Sequence, residues 1–251
     1  MAENYVCFDF SKFLSGQENL ILQGDTVTDD SNRCLVLTRE NNGRPVQDSV
    51  GRVLYQTPIH LWDKQIDKEA SFETSFTFFI YRENINRGGD GITFFLAPTD
   101  TQPKSGGGYL GIFKDAESNE TVVAVEFDTF SNRWDPANSH IGINVNSVKS
   151  TITKPWSLKN DYFTVTITYD APARSLSVSS FYRNKPDDIF TVKASVHLRD
   201  ALPQWVRIGL SAATGDLVEQ HRLYSWSFKS VLPLDSSTTK GFKNTNYIQQ
   251  A

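Results

Sequence analysis

Residues 71–80 read S-F-E-T-S-F-T-F-F-I, and this period-two alternation constrains the fold more than any other feature of the chain. Successive side chains of an extended strand point to opposite faces, so Phe72, Phe76, Phe78 and Ile80 fall on one side. The habit recurs in Val6-Phe8-Phe10, Phe163-Val165-Ile167-Tyr169, Leu176-Val178, Val206-Ile208-Leu210 and Tyr224-Trp226-Phe228. Turn residues separate these runs at Asn41-Asn42-Gly43, Gly88-Gly89-Asp90-Gly91, Gly106-Gly107-Gly108 and Asp170-Ala171-Pro172. No segment carries a sustained helical stripe; 198–202 is long enough for one short turn. Many short strands rich in aromatic and β-branched residues predict an all-β antiparallel sandwich or jelly roll. One domain is expected over residues 1–234. From 235 to 251 the chain turns polar, D-S-S-T-T-K-G-F-K-N-T-N, and a mobile or processed tail is expected there.

The balance of 25 Lys+Arg against 29 Asp+Glu contains no basic block. Nucleic acid and anionic membrane both require clustered positive charge, so neither is expected as a partner. No apolar run reaches the roughly 20 residues of a membrane-spanning helix. The opening Met1-Ala2-Glu3-Asn4-Tyr5 lacks a basic-then-apolar leader pattern. Cys7 and Cys34 are too few for a disulfide framework and are read as buried thiols acting as small apolar side chains. Asn119-Glu120-Thr121 is a glycosylation acceptor pattern compatible with secretion.

Chemistry concentrates after the run Thr121–Thr129, T-V-V-A-V-E-F-D-T. Alternation places Val122, Ala124, Glu126 and Asp128 on one face, so an apolar strand ends in two carboxylates on the same side. Unaided, they repel and lose hydration; a divalent cation removes both penalties. Asn132, Asp135 and the Phe130 carbonyl add oxygen ligands suited to calcium. His140 adds an imidazole to Glu126, Asp128 and Asp135, a set better suited to a transition metal such as manganese. One loop can then hold two ions sharing Asp128 and Asp135. The plainer alternative is an exposed acidic turn beside a surface histidine. His60, His197 and His221 have no comparable carboxylate company in the sequence and are read as ordinary surface or half-buried residues.

The stretch V-A-V-E-F-D-T-F-S-N-R-W-D-P, followed by H-I-G-I-N-V-N-S-V-K-S, closely resembles the metal-binding signature of the legume lectins. The resemblance continues through G-R-V-L-Y-Q-T-P-I-H-L-W-D, A-S-F-E-T-S-F-T-F, D-G-I-T-F-F-L-A-P, L-P-Q-W-V-R-I-G-L-S-A-A-T-G and L-Y-S-W-S-F. It implies a jelly-roll sandwich with a flat back sheet, a curved front sheet and a small bridging sheet. It also implies calcium on Asp128, Phe130, Asn132 and Asp135, and manganese on Glu126, Asp128, Asp135 and His140, with Ser150 near a metal-bound water.

A monosaccharide presents hydroxyls and an apolar patch of C–H bonds, so its site needs charged and amide hydrogen-bonding groups and an aromatic face. By resemblance, Asp90, Asn132 and the Gly108 amide bind hydroxyls, Phe130 stacks on the ring, and the Asp216 and Leu217 amides reach the sugar. Without the resemblance, Asp90 and its glycines read as a plain turn. Gly89 stands where the family usually has alanine in a cis peptide, and Asn144 where Asp is frequent. The short loop from Asp216 to Arg222 leans toward mannose/glucose recognition, with galactose, fucose and N-acetylglucosamine types as alternatives. Glycans and glycoproteins are the implied partners, in a homodimer or homotetramer, and the compartment is secreted or vacuolar. A jelly-roll glycoside hydrolase is the enzyme alternative. It would need Glu-x-Asp-x-x-Glu, and Ser131 stands where the second glutamate belongs. A lectin-like storage or defence protein without sugar binding is the other alternative, although this chain keeps every ion and sugar position.

Overall fold

A computed structural model describes residues 2–85 and 87–234, so the segment expected to be a tail lies outside the described residues. Two large antiparallel sheets dominate. In the first, the strands run in the order Lys185–Ser195, Ser175–Tyr182, Phe163–Asp170, Ser71–Tyr81, Gln220–Leu234, Cys34–Val36, Val27–Asp29. The strand Ala2–Phe10 also pairs with Gln220–Leu234, Phe8 lying opposite Phe228. In the second, the order is Ile152–Pro155, His140–Val145, Val123–Asp128, Gly91–Pro98, Trp205–Ala213, Val50–Tyr55, Leu20–Gly24. The small-sheet expectation is met by two two-stranded ribbons, Glu40–Asn41 with Arg44–Pro45 and Trp62–Asp63 with Lys68–Glu69. Among the described residues, helix is confined to Leu198–Ala201 and a 3₁₀ turn at Gly107–Tyr109. Neither is long or apolar enough to cross a membrane.

The alternation at 71–81 sets the sandwich core. Phe72, Phe76, Phe78 and Ile80 are buried between the sheets with Thr74 on the same face, and Glu73, Ser75, Thr77 and Phe79 are half-buried on the outer face. Phe76 meets Phe94 of the opposite sheet at 6.2 Å between ring centres, and Phe78 meets Phe127 at 5.3 Å. Burying each such ring contributes about 1.5–3 kcal/mol relative to exposure. Trp226 is fully buried and satisfies its indole N–H on Thr74 Oγ1 at 3.0 Å.

Both faces of Val123–Asp128 are buried, for different reasons. Val123, Val125 and Phe127 enter the main core. On the opposite face, Val122 and Ala124 join a second apolar cluster with Phe95, Leu110, Ile112 and Phe113. That cluster lies under the glycine-rich segment and seats it on the sheet. Glu126 and Asp128 continue this second face to the end of the strand, where the candidate site begins. Cys7 and Cys34 are unpaired thiols, half-buried and buried.

Candidate ion and sugar site

The strand ladder assembles the acidic cluster. Asp128 lies opposite His140 in register, and Glu126 is two residues back on the same face. His140 Nε2 is 3.1 Å from Glu126 Oε1, which also accepts a short hydrogen bond from Ser150 Oγ. The following turn is closed by its own carboxylates: Asp128 Oδ1 accepts from the Phe130 amide at 2.8 Å, and Asp135 Oδ2 from the Asn132 amide at 2.8 Å. Ligand atoms of Asp128, Asp135 and His140 lie within 4.8 Å of one another.

The electrostatics of this cluster are those of carboxylates crowded together away from water. Burial, with the charges of Glu126 and Asp135, pushes Asp128 well above the usual carboxylate range. Burial also raises Asp135, to about 6. At His140 burial disfavours the cation, but the Glu126 hydrogen bond and the charges of Glu126 and Asp135 outweigh it and raise the imidazole. Asn132 Oδ1 and His140 Nδ1 are buried without a hydrogen-bond partner. A buried polar atom left unpaired costs about 1–3 kcal/mol. An oxygen-rich set with one imidazole and an orphaned amide oxygen fits divalent cations. Asn144 stands apart from the ligand atoms, its amide donating to the Val148 carbonyl at 3.0 Å.

Beside the cluster lies a cavity of about 440 Å³. Asp90, Gly108, Phe130, Asn132, Asp216 and Leu217, all selected from sequence, line it together. Asp90 is 5% exposed and held by its backbone: its amide donates to the Ala213 carbonyl, and its carbonyl accepts from the Thr129 amide, both at 2.9 Å. The Gly89–Asp90 peptide is cis. Burial, then the charges of Glu219 and Asp216, push the Asp90 carboxyl up to about 7, and its Oδ2 has no partner. Gly108 passes so close to Asn132 that a Cβ there would collide with the side-chain amide and displace it.

The sequence reading missed several wall and floor residues. Tyr109 and Trp134 line the cavity and stack at 5.2 Å, an aromatic face in addition to Phe130. Arg52 is wholly buried without a carboxylate partner; burial lowers its pKa to about 10. It donates to the Gln102 carbonyl at 2.7 Å and lies over the Phe95 ring at 4.6 Å, anchoring the approach to the glycine-rich segment. His60 is half-buried and His197 exposed, as the sequence reading expects, and only the reading of His221 needs correction. His221 is fully buried, 2.9 Å from Glu219 Oε1 and 2.9 Å from Thr38 Oγ1. His60 is 3.7 Å from Asp63, and His197 is 3.3 Å from Asp200. Each carboxylate lies two or three residues away in sequence, and turns or strand geometry close the gap. Ser131, where a hydrolase would need its second glutamate, is exposed and donates to the Pro136 carbonyl.

With this geometry in view, the comparisons with known proteins are specific. Residues 5–243 match the legume lectin domain, and the chain belongs to that family. A lectin of Onobrychis viciifolia is 97% identical over 237 residues, covering 94% of this chain and all of that protein. The basic winged bean lectin solved with Tn-antigen superposes with a TM-score of 0.87 at 42% identity, covering 92% of this chain and 100% of that one. The winged bean acidic lectin complexed with methyl-α-D-galactose gives 0.85 at 40%, with coverages of 92% and 100%. The chain is a carbohydrate-binding lectin, not an enzyme.

Proposed function

We propose that this chain, as one lectin domain over residues 1–234, binds terminal mannose- or glucose-type residues of glycans in the Asp90 cavity, dependent on calcium and manganese. The observation that carries the reading is the adjacency of the cavity to the acidic cluster through one residue. Asn132 lines the cavity while its orphaned Oδ1 is the kind of atom a calcium ion satisfies. Asp128, the Phe130 carbonyl, Asn132 and Asp135 would hold calcium, and Glu126, Asp128, Asp135 and His140 manganese. Bound cations would neutralise the carboxylates and fix the 130–135 turn. Asp90 then accepts hydroxyl hydrogen bonds, the Gly108, Asp216 and Leu217 amides donate, and Phe130 offers its ring to the apolar sugar face.

The mannose/glucose preference rests on the short 216–222 loop. A galactose-type preference is the second reading, favoured by the methyl-α-D-galactose complex of the winged bean acidic lectin. A glycan array run with both ions and again with chelator tests both readings. Binding confined to the metal-loaded sample, strongest on mannose- or glucose-terminated glycans, is expected. Galactose-only signals would replace the first preference with the second, and chelator-resistant binding would remove the metal requirement.

Such a cavity holds one sugar weakly, near millimolar or about −4 kcal/mol, so retention on a glycan surface requires several linked sites. A homodimer or homotetramer supplies them. Among the described residues, Ala2–Phe10 pairs only with Gln220–Leu234, which leaves its other edge open for a second copy. Light scattering is expected to exceed the 28.3 kDa of one chain, with agglutination of glycan-bearing cells. A secreted or vacuolar location matches the exposed Asn119 acceptor.

A further inference from the structure

Arg82 directly follows the strand Ser71–Tyr81, and its side chain turns inward, only 6% exposed, where three loops meet. Nε donates to Glu219 Oε2 at 2.5 Å, Nη2 to the Thr129 carbonyl at 2.9 Å and Nη1 to the Ile85 carbonyl at 3.2 Å. The other oxygen of Glu219 accepts from Thr129 Oγ1 at 2.6 Å. Through Ile85 the guanidinium holds the segment that leads to Asp90. Through Thr129 it holds the root of the turn bearing Phe130 and Asn132. Through Glu219 it holds the end of the segment bearing Asp216 and Leu217. The loop closes directly over this side chain: a Cβ on Gly88 would lie 2.8 Å from Arg82 Cδ, closer than packing allows. Arg82 is not among the residues lining the cavity.

We propose that Arg82 is a positioning residue for saccharide binding: paired with Glu219, its guanidinium fork sets the mutual placement of the three loops that carry Asp90, Asn132 and Asp216–Leu217. The inference rests on the cavity being the sugar site. The shape of arginine is what matters. Its planar fork reaches three acceptors at fixed angles, whereas a lysine ammonium is a point charge on a flexible stem. Arg82→Lys therefore keeps charge pairing with Glu219 but cannot hold both carbonyls as well. The double variant R82M/E219Q removes both charges together, so no buried charge is left uncompensated.

The test compares parent, Arg82→Lys and R82M/E219Q, all with calcium and manganese present. Calorimetry reads affinity for the monosaccharide that binds the parent best. Amide exchange is followed at Asp90 and Thr129 in the loops and at Phe76 and Val165 in the core. Both variants are expected to lose roughly tenfold or more in affinity. Exchange at Asp90 and Thr129 should quicken by about tenfold, while Phe76 and Val165 keep the parent rate. A folded variant with parent affinity overturns the proposal. So does exchange that quickens equally in loops and core, or failure of both variants to fold, since Arg82 would then serve general stability. A parent that binds no saccharide refutes the functional reading instead, and the exchange pattern still decides whether Arg82 fixes the loops.

Discussion

Asp128 and Thr129 are neighbours in the chain, yet they belong to two buried carboxylate clusters of opposite character. Thr129 is bonded to Glu219, a carboxylate that is complete as built. Burial opposes its charge, but the hydrogen bond and charge of His221, with the charge of Arg82, hold its pKa below the usual range. In the other cluster burial and neighbouring carboxylates drive Asp128 upward, and burial raises Asp135. The first cluster supplies its own cation. The second gathers its carboxylates around the single imidazole of His140, and its orphaned atoms lie beside the cavity. Similar burial therefore accompanies a self-neutralised structural joint in one case and a candidate cation site in the other. The sign of the pKa displacement separates them.

The largest expected effect attacks the finished joint. Glu219→Ala leaves the Arg82 charge buried and unpaired, and denaturant unfolding should show a loss of about 3–5 kcal/mol. Calcium and manganese should not restore it; full recovery with ions would erase the contrast between the clusters.

Next comes Asp90, whose carboxyl is raised from 3.8 to about 7. A raised folded-state value stabilises only while the group is protonated. The contribution is complete below the unfolded value of 3.8 and is lost as pH climbs through 7. In chelator, the stability of Asp90→Asn relative to the parent should therefore rise between pH 4 and 7, by up to about 4 kcal/mol. The same variant should fold normally by circular dichroism and lose sugar binding, since charged acceptors contribute roughly 1.5–3 kcal/mol each. Retained affinity would mean the sugar sits elsewhere.

A smaller change is expected from ion removal. At a free concentration a hundred times the dissociation constant, an ion bound only by the folded state adds about 2.7 kcal/mol. Chelation should lower the melting temperature by the corresponding amount and abolish glycan binding. Asp128→Asn should make the protein indifferent to chelator. Glycan binding at full strength in metal-free protein would contradict the account.

The smallest effect trims the outer end of the Glu219 cluster. Thr38→Val removes the hydroxyl beside His221 Nδ1 and should cost about 1 kcal/mol in unfolding experiments. Sugar affinity should hold, because Thr38 is not part of the cavity wall.

The sandwich was legible because its signal is local. Alternation over 71–81 and 163–170 requires only neighbouring residues, and the faces it assigns are those that meet Phe94 and Phe127. The acidic cluster was legible for a related reason, since Glu126, Asp128, Asn132 and Asp135 lie within ten residues. The Glu219 cluster was not. Thr38, Arg82, Thr129 and Glu219 come from four distant parts of the chain, and no spacing rule joins an arginine to a glutamate 137 residues away. His221 was misjudged for the same reason: its strand reads as alternating, but Thr38, which meets its ring, arrives from 183 residues away in the chain. Tyr109 and Trp134 pass as ordinary loop aromatics until the fold stacks them.

The crest of the cavity at Asp216 and Leu217 is tied more lightly than its floor. Asp216 is exposed, and its backbone carbonyl accepts from the Gln47 side chain at 2.7 Å, a contact on the surface. Behind it, Ala213 and Thr214 are locked to Asp90, Gly107 and Ser49 by backbone hydrogen bonds. Substitutions at the crest are therefore expected to disturb the fold less than substitutions one step inward, where each would strain a backbone hydrogen bond.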